Sequence, residues 1–190
     1  MYRQYENTFM QASRQKQIFD AWLQEHKGIL FKVTRAYAFT EHDQDDLFQE
    51  ICVRVWESIP DFRGESKTST WIYSVALYTA ISWARKERKH NGKTKPLETM
   101  EQTLVASEYS VDSRLYWLYE QIGQLNEIDR SLCLLLLDGY SYAEMAELLN
   151  ISPSNVGVKI HRIKQQLVRT ANDELMTPTK SGAKGIDHGI

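Results

Sequence analysis

Apolar side chains in this chain recur at helical intervals along nearly its whole length. Leu47, Ile51, Val55 and Ile59 follow one another at steps of four, as one face of an α-helix requires. No useful stretch alternates with the period of two that a half-buried strand would show. The pattern therefore predicts an all-α fold.

The helical pattern divides into several helices with breaks between them. The first covers about residues 13–38, the second runs from just after Asp43 to Pro60, and the third covers about 68–89. The pattern continues at residues 115–122, 128–138 and 141–169, with Gly139 as a left-handed C-cap. The inner face of the third helix is predicted to carry Trp71, Ile72, Val75, Ala76, Thr79 and Trp83.

The periodicity fails between residues 90 and 110. A cluster of helix-breaking residues, Asn-Gly-Lys-Thr-Lys-Pro, stands there at 91–96. We therefore expect two small helical domains, at 1–90 and 113–171, joined by a flexible linker at 91–112. The tail at 172–190 has too few apolar residues to pack, so we expect it to be disordered.

The composition excludes several classes of protein. The longest apolar run, from Leu132 to Leu137, is far shorter than the roughly 20 residues that a membrane helix needs. The N-terminus has no apolar core of the secretory type. Two cysteines give no disulfide framework, and five scattered histidines give no metal or catalytic cluster. We therefore expect a cytoplasmic protein with no membrane insertion, no metal, no cofactor and no catalytic activity.

Charge is balanced overall, at a net of -2, but it is segregated along the chain. Residues 41–50 carry five acids and no Lys or Arg, whereas residues 85–95 carry six bases and one acid. Residues 152–169 carry four bases and no acid. One acidic and two basic patches suit a basic protein and a polyanion as partners, although each patch alone also fits a solvated helix face.

A helix-turn-helix pattern lies near the C-terminus. Ser141 and Glu144 have the spacing of a capping box, and Asn150-Ile151 makes the turn. Ser152-Pro153 then starts a second helix. Its inner stripe is predicted at Val156, Ile160, Ile163 and Leu167, with Lys159, Arg162 and Lys164 projecting outward. In a DNA-binding motif of this kind the second helix enters the major groove; the alternative is an ordinary helical hairpin.

The most specific signal is a series of motifs in a fixed order. The first domain reads D-Q-D-D-L-F-Q-E at 43–50, R-V-W at 54–56, F-R-G-E at 62–65 and T-W-I-Y-S-V-A at 70–76. The second reads L-N-E at 125–127, G-Y-S-Y-A-E-M-A at 139–146 and I-S at 151–152. In this order and spacing the motifs resemble bacterial RNA polymerase sigma factors of the extracytoplasmic-function (ECF) type, over about residues 18–167.

The resemblance implies that the chain binds core RNA polymerase and directs promoter-specific initiation. One helical domain would read the minus-ten element and the other the minus-thirty-five element. Asp46, Gln49 and Glu50 lie at i, i+3 and i+4 on one side of a helix, and Arg54 is spaced to orient Glu50. The implied polymerase contacts are Asp43, Asp46, Gln49, Glu50 and Arg54.

The resemblance also implies two sets of DNA contacts. The loop at 62–69 would capture a base unstacked from the opening minus-ten duplex, and the basic end of the third helix would hold phosphates. The minus-ten set is Phe62, Arg63, Gly64, Ser66, Thr68, Arg85, Lys86, Arg88 and Lys89. The minus-thirty-five set is Ser152, Ser154, Asn155, Gly157, Val158, Lys159, His161 and Arg162. Trp71 is expected in the core because it falls on the apolar stripe.

The chain departs from the family pattern at two places that touch DNA. Where relatives commonly have Asn in the third helix, this chain reads V-A-L-Y at 75–78. In the recognition helix, Gly157 and Val158 stand where a basic residue and Ser are frequent. The first departure removes a usual polar contact and so predicts an altered minus-ten preference. At the second, Gly in a helix costs about 1 kcal/mol, which a close approach to DNA would offset, with Val158 touching a thymine methyl.

Two other functions remain open on the sequence alone. A stand-alone helix-turn-helix transcriptional regulator would use residues 141–169 but would leave the acidic helix and the loop at 62–69 without a role. An enzyme acting on nucleic acid could use Asp43, Asp45 and Asp46 for Mg²⁺, but no partner acid or glycine-rich phosphate loop accompanies them. The resemblance further implies an anti-sigma factor as a partner, and a bacterial protein associated with the nucleoid when active.

Overall fold

The computed structural model describes residues 2–91 and 113–176 of the chain, with side chains described for 12–89, 115 and 117–173. Within these ranges the protein consists of seven α-helices and one short 3-10 turn, without a strand, so the predicted all-α fold is confirmed. The helices are α1 (Tyr2–Tyr37), α2 (Glu41–Ser58), α3 (Thr68–Asn91), α4 (Ser113–Gln124), α5 (Glu127–Leu137), α6 (Tyr142–Leu149) and α7 (Pro153–Met176), with the 3-10 turn at Ile59–Asp61. The predicted linker at 91–112 lies outside the described residues, apart from Asn91.

Helix boundaries differ from the prediction where a cap decides them. The hydroxyl of Thr40 accepts from the backbone N–H of Asp43, so α2 begins at Glu41 rather than after Asp43. Asp45 and Asp46 consequently lie beyond the first turn. The helix dipole stabilises an acid most within that first turn, so these two acids gain little from it. At its other end α2 stops at Ser58, and Pro60 lies in the 3-10 turn that follows.

The first helical unit is a bundle of α1, α2 and α3. The predicted stripe of Leu47, Ile51, Val55 and Ile59 is buried, which confirms the period-four assignment. The buried face of α3 is rotated around the helix axis relative to the predicted inner face. Trp71, Val75 and Trp83 are half-buried, because the buried side of α3 faces α1 and α2 through Ile72, Tyr73, Ala76, Leu77, Ala80 and Ile81.

The second helical unit contains α4 to α7. After α5, Gly139 takes a left-handed conformation with φ of 79°, and the N–H of Tyr140 donates to the carbonyl of Leu135 at 3.0 Å. This is the predicted C-cap in the Schellman form. Asn150 closes α6 in the same way with φ of 51°, so the turn between α6 and α7 is tight. Helix α7 continues to Met176, so the expected disordered tail does not begin at residue 172.

The two units pack against each other and share one continuous buried cluster. Ile122 and Leu125 of the second unit belong to the same cluster as Val33 and Tyr37 of the first. A Cβ placed on Gly123 would lie 2.9 Å from Cε1 of Phe39, so only glycine allows the close approach at that point. Two domains were expected from the sequence, but their packing on one another was not.

Candidate nucleic-acid interface

The outward face of α2 carries the residues predicted to contact core polymerase. Asp46 and Gln49 are exposed, while Glu50 is half-buried and lies 3.8 Å from the ammonium of Lys86 on α3. Asp43 is half-buried on the same flank. The face therefore presents carboxylate and amide groups to solvent along its length.

The spacing of Arg54 and Glu50 suggested that Arg54 orients Glu50, but the structure pairs Arg54 with another acid. Its guanidinium Nη1 lies 3.0 Å from Oε2 of Glu57, one turn further along the helix. Because both partners of that pair are more than half exposed, the contact contributes little to stability. Arg54 is thus held on the α2 surface by Glu57, and Glu50 by Lys86.

Val53 is a member of this surface that the sequence reasoning missed. Its side chain is 53% exposed on α2, in the middle of the outward face. The steps from Asp46 to Gln49 and from Gln49 to Val53 are three and four residues, so helical spacing would have found it. An apolar group amid polar ones suits the desolvated centre of a protein interface.

The loop at 62–67 is a turn anchored by an aromatic residue. Gly64 has φ of 75°, which an L side chain rarely adopts, and Arg63 and Ser66 are exposed beside it. Phe62 is half-buried instead of free to stack. Its ring packs edge-on to Trp22 with centroids 5.2 Å apart, and tilted on Trp71 at 5.6 Å.

An open groove of about 370 Å³ lies between α2 and α3. It is lined by Arg54, Glu57, Ser58 and Asp61 on one side and by Trp71, Ser74, Val75, Tyr78 and Thr79 on the other. Trp71 is half-buried, not a full core residue, and its indole N–H donates to the hydroxyl of Ser58 at 3.0 Å. Tyr78, at the position where relatives commonly have Asn, lines the groove and is 46% exposed. Two aromatic side chains therefore line a concave surface next to the loop, and the sequence analysis had singled out neither for binding.

The basic end of α3 is exposed, as predicted, but part of it is engaged within the protein. Arg85, Lys86, Arg88 and Lys89 are all exposed. Lys86 approaches Glu50, and the guanidinium of Arg88 forms an ion pair with Glu127 of α5. This patch is thus tied both to α2 and to the second helical unit.

The helix-turn-helix geometry forms as predicted. Ser141 and Glu144 make a complete capping box, and the hydrogen bonds that Glu144 accepts from Ser141 lower the pKa of its carboxyl. The hydroxyl of Ser152 accepts from the N–H of Asn155 at 3.2 Å and so caps α7. Six of the residues predicted to contact the minus-thirty-five element are exposed, on the N-cap and the N-terminal half of α7: Ser152, Ser154, Asn155, Val158, His161 and Arg162.

Lys159 does not project outward, contrary to the prediction. Its ammonium donates to Oδ1 of Asp129 on α5 at 2.7 Å, and its side chain is only 27% exposed. The pair ties the recognition helix to α5. Gly157 is half-buried against the ring of Tyr142, which a Cβ there would approach to 3.9 Å.

The cysteines and the metal-binding side chains are the other groups that could carry chemistry. Burial raises the pKa of the Cys133 thiol to about 11 and also raises that of Cys52, so both sulfurs are poor nucleophiles at neutral pH. Across residues 2–91 and 113–176, no group of three metal-binding side chains occurs. Over the same ranges no helix has the length and apolarity needed to cross a membrane.

Family models match both helical units. Sigma-70 region 2 matches residues 22–90, and Sigma-70, region 4 matches residues 115–167. Together the two models cover well over half of the chain. The first match contains the acidic α2 face, the loop and the basic end of α3, and the second contains the helix-turn-helix.

Relatives and solved structures agree with these matches. The chain is 27% identical to the ECF RNA polymerase sigma factor SigX of Bacillus subtilis over 187 residues, covering 91% of this chain and 93% of that relative. It is 28% identical to the B. subtilis sigma factor YlaC over 155 residues, covering 79% and 87%.

Two solved structures share the fold. CnrH, solved with the cytosolic domain of CnrY, matches with a TM-score of 0.58 at 21% identity, covering 83% of this chain and 90% of that one. RpoE of Bartonella quintana, solved with the anti-sigma factor NepR, matches at 0.62 and 16% identity, covering 81% and 96%. With regions 2 and 4 present in order on one chain, this protein belongs to the ECF type of the sigma-70 family, whose members direct RNA polymerase to promoters.

Proposed function

We propose that this sigma factor uses three separate surfaces, one to bind core RNA polymerase and two to bind promoter DNA. The outward face of α2 binds core RNA polymerase through Asp46, Gln49 and Val53 at its centre, with Asp43, Glu50 and Arg54 on its flank. An exposed acidic face with one apolar group supports this, because charges attract and orient a basic partner while an apolar centre contributes affinity.

The second surface reads the minus-ten element. Arg63, Gly64, Ser66 and Thr68 contact the separated strand from the loop, and Phe62 holds that loop on the domain. Trp71 and Tyr78, which border the groove on α3, supply faces on which an unstacked base can lie. The basic end of α3, Arg85, Lys86, Arg88 and Lys89, holds the phosphates upstream.

The third surface is the exposed N-terminal half of α7, which reads the minus-thirty-five element. Arg162 contacts a phosphate, and the exposed Val158 is placed for an apolar contact such as a thymine methyl. Ser152, Ser154, Asn155 and His161 supply hydrogen bonds from the same side. Lys159 positions α7 through Asp129, and Gly157 lets the helix pack on Tyr142.

The observation that carries the proposal is the presence of an acidic α2 face and two DNA-type surfaces on one chain. A stand-alone helix-turn-helix regulator would leave the α2 face and the loop without a role. We also propose that the protein has no catalytic activity, acts in the cytoplasm and on the nucleoid, and is restrained by an anti-sigma factor. The solved neighbour RpoE, which is in complex with the anti-sigma factor NepR, supports the last point.

A run-off transcription assay tests the proposal. Core polymerase plus this protein should give specific transcripts from a cognate promoter, and either component alone should give none. Failure of the mixture on a promoter that responds to the protein in cells would contradict it. A stand-alone regulator would instead bind the duplex without core and change transcription by a different sigma factor.

A further inference from the structure

A cavity of about 270 Å³ lies between the two helical units, and the proposed function does not use it. The side chain of Arg88 lines the cavity and is 61% exposed, so the cavity opens to solvent on that side. Its volume is close to the lower end of the range for ligand pockets, about 300–1,000 Å³, which suits a molecule of one or two rings. The first unit contributes Tyr37, Trp83 and Ala84 to the lining, among others, and the second contributes Leu125, Glu127 and Arg130.

Aromatic side chains supply much of the cavity lining. Tyr37 is 1% exposed, and Phe39 and Trp83 are half-buried. The guanidinium of Arg130 lies over the rings of Tyr37 and Phe39, 4.8 and 5.3 Å from their centroids, and this contact holds the side chain in place. Flat rings bury their faces against such a lining, whereas water gains nothing from contact with the carbon surfaces. The lining therefore favours a planar molecule over a cluster of waters.

Two buried polar atoms of the lining have no hydrogen-bond partner among the residues that the structure describes. They are Nε of Arg130 and Oε1 of Glu127, on residues that are 7% and 8% exposed. The Nη2 atom of Arg130 does have partners, the carbonyl oxygens of Gly123 and Leu125 at 2.6 and 3.0 Å. Glu127 forms an ion pair with Arg88, but its Oε1 atom accepts no hydrogen bond there. Buried polar atoms nearly always have a partner, so two of them in one cavity point to a ligand.

These two atoms define what the ligand must carry. Glu127 and Arg130 are three residues apart on α5, which places them on one side of the helix with their Cβ atoms about 5–6 Å apart. The Nε atom is a hydrogen-bond donor and the Oε1 atom is an acceptor. Removal from water lowers the pKa of the Arg130 guanidinium, and the charge of Arg88 acts in the same direction, so an acceptor at Nε would stabilise it. A ligand with an acceptor and a donor side by side satisfies both atoms.

The charges around the cavity favour an uncharged ligand. Three acids line it, Asp43, Glu87 and Glu127, together with two cations, Arg88 and Arg130. A phosphate group placed among three carboxylates would be repelled, and a cationic ligand would meet two guanidinium groups. A nucleotide is therefore disfavoured, and a neutral heterocycle suits both the charges and the aromatic lining.

We propose that this cavity is a binding site for a small uncharged aromatic heterocycle with a donor and an acceptor on one edge, the chemistry of a free nucleobase. Nε of Arg130 donates to a ring nitrogen or carbonyl oxygen of the ligand, and Oε1 of Glu127 accepts from its N–H. Trp83 and Phe39 pack against the ring. The site adds a small-molecule ligand to the proposed function, which involves polymerase and DNA alone.

Fluorescence of 2-aminopurine tests the site directly. This base has an amino group beside ring nitrogens, it is excited where tryptophan does not absorb, and stacking on an aromatic ring quenches it. Titration of the full chain into the free base should give saturable quenching. The base should also raise the melting temperature of the protein, because a ligand that binds only the folded state stabilises it. Indole, a ring system of the same size with a donor and no acceptor, should compete about tenfold more weakly.

Two substitutions locate the binding in the cavity. Ala84→Leu fills part of the cavity and should lower the affinity about tenfold or more, with helical content unchanged because leucine is a good helix former. Its matched control is Ser82→Leu, which adds the same side chain at an exposed position of α3. Arg130→Lys removes the N–H at the ε position but keeps a cation for the carbonyl oxygens of Gly123 and Leu125. It should lower the affinity about tenfold.

The groove lined by Trp71 and Tyr78 is a second surface on which a base can stack. Tyr78→Ala should leave the quenching of free 2-aminopurine unchanged. Quenching that is lost in Tyr78→Ala but kept in Ala84→Leu would overturn the cavity site. So would a wild-type protein that gives neither quenching nor a thermal shift.

A single-stranded oligonucleotide that contains 2-aminopurine distinguishes a free base from a base of DNA. The carboxylates that line the cavity repel the phosphates of a strand, so Ala84→Leu should not change the quenching of the oligonucleotide. Equal sensitivity of both probes to Ala84→Leu would assign the cavity to DNA and overturn the free ligand.

Discussion

The hydroxyl oxygen of Tyr37 lies 2.6 Å from Oγ of Ser131, although 94 residues separate them along the chain. Tyr37 ends α1 in sigma region 2, and Ser131 lies within α5 in region 4. This contact joins the domain that carries the minus-ten surface to the domain that carries the helix-turn-helix. A single substitution at Tyr37 or Ser131 can therefore change the relative position of the two domains.

The contact between the two domains at Tyr37 should weaken at alkaline pH. Burial raises the pKa of its hydroxyl to about 12, with the hydrogen bond to Ser131 acting in the opposite direction. Above about pH 10 the unfolded chain releases this proton while the folded chain keeps it, so stability falls as pH rises from 10 towards 12. By pH 11 the loss is about 1.4 kcal/mol.

Tyr37→Phe should remove that loss. At pH 8 the variant should be less stable than the wild type by about 1 kcal/mol, the value of a hydrogen bond, and the gap should close near pH 11. Urea unfolding followed by circular dichroism at both pH values measures it. Tyr78→Phe, at an exposed site, is the control and should follow the wild type; a gap for Tyr37→Phe that is constant with pH would contradict the argument.

Reversing the charges of Asp46 and Glu50 to Lys should weaken binding to core polymerase by several kcal/mol, because like charges then face a basic partner. Asp46 is exposed and Glu50 is half-buried, so helical content should survive. Val53→Ser should weaken binding to core polymerase less than the charge reversal does. The salt dependence of that binding should stay unchanged, because no charge is altered. A titration of labelled core measures both variants, with Glu25→Lys on the exposed side of α1 as the control. Equal affinity for the reversal and the control would reject the α2 face.

Arg162 and Lys159 should differ in what they contribute, although both are cations on α7. Arg162→Ala should lower the salt dependence of duplex binding by about one unit of slope, as for the loss of one phosphate contact. Lys159→Ala should instead lower the stability of region 4, because it leaves Asp129 without its partner.

Salt titrations of closed-complex formation and thermal unfolding separate these two effects. Asp129→Asn should reproduce the stability loss of Lys159→Ala, and Lys164→Ala, elsewhere on the exposed side of α7, serves as the control. An equal loss of salt slope for Lys159 and Arg162, with no change in melting temperature, would restore Lys159 as a phosphate contact.

Tyr78→Ala should slow promoter opening without weakening the closed complex. The side chain lines the groove beside the minus-ten loop, and stacking of a base on an aromatic ring is worth about 1–3 kcal/mol. A fluorescent base at the minus-ten position reports opening, and footprinting reports the closed complex. Tyr78→Phe keeps the ring and should open at the wild-type rate. Normal opening by the alanine variant would exclude the groove as a base site.

Several features of this protein follow from short-range sequence alone. The period-four stripe at Leu47, Ile51 and Val55 predicted the buried face of α2, since side chains three and four apart in a helix share a side. The capping box of Ser141 and Glu144 predicted the start of α6, because both hydrogen bonds lie within four residues. The order and spacing of the motifs predicted the family, which the region 2 and region 4 matches confirm.

Other features depended on partners distant in the chain. Lys159 was predicted to face solvent, but its ammonium donates to Asp129. Because Asp129 lies 30 residues earlier in the chain, helical spacing could not identify this partner. Arg54 was paired with the wrong acid, because helical spacing allows both Glu50 and Glu57 and only the packing of α3, which brings Lys86 to Glu50, decides between them. Trp71 was predicted to be core, yet the register of α3 leaves it half-buried at the groove.

The sequence by itself therefore determined most of the helices, the caps at Gly139 and Ser141, the division into two helical regions and the family. Each of these depends on residues within about one or two helical turns or on motifs in a fixed order. Only the tertiary structure decided how the domains meet, which cations are exposed to DNA and where the groove lies. No local pattern marks Tyr37 as the partner of Ser131, or Arg88 as the partner of Glu127. Contacts across such separations arise from the packing of whole helices, and one pair of residues does not encode them.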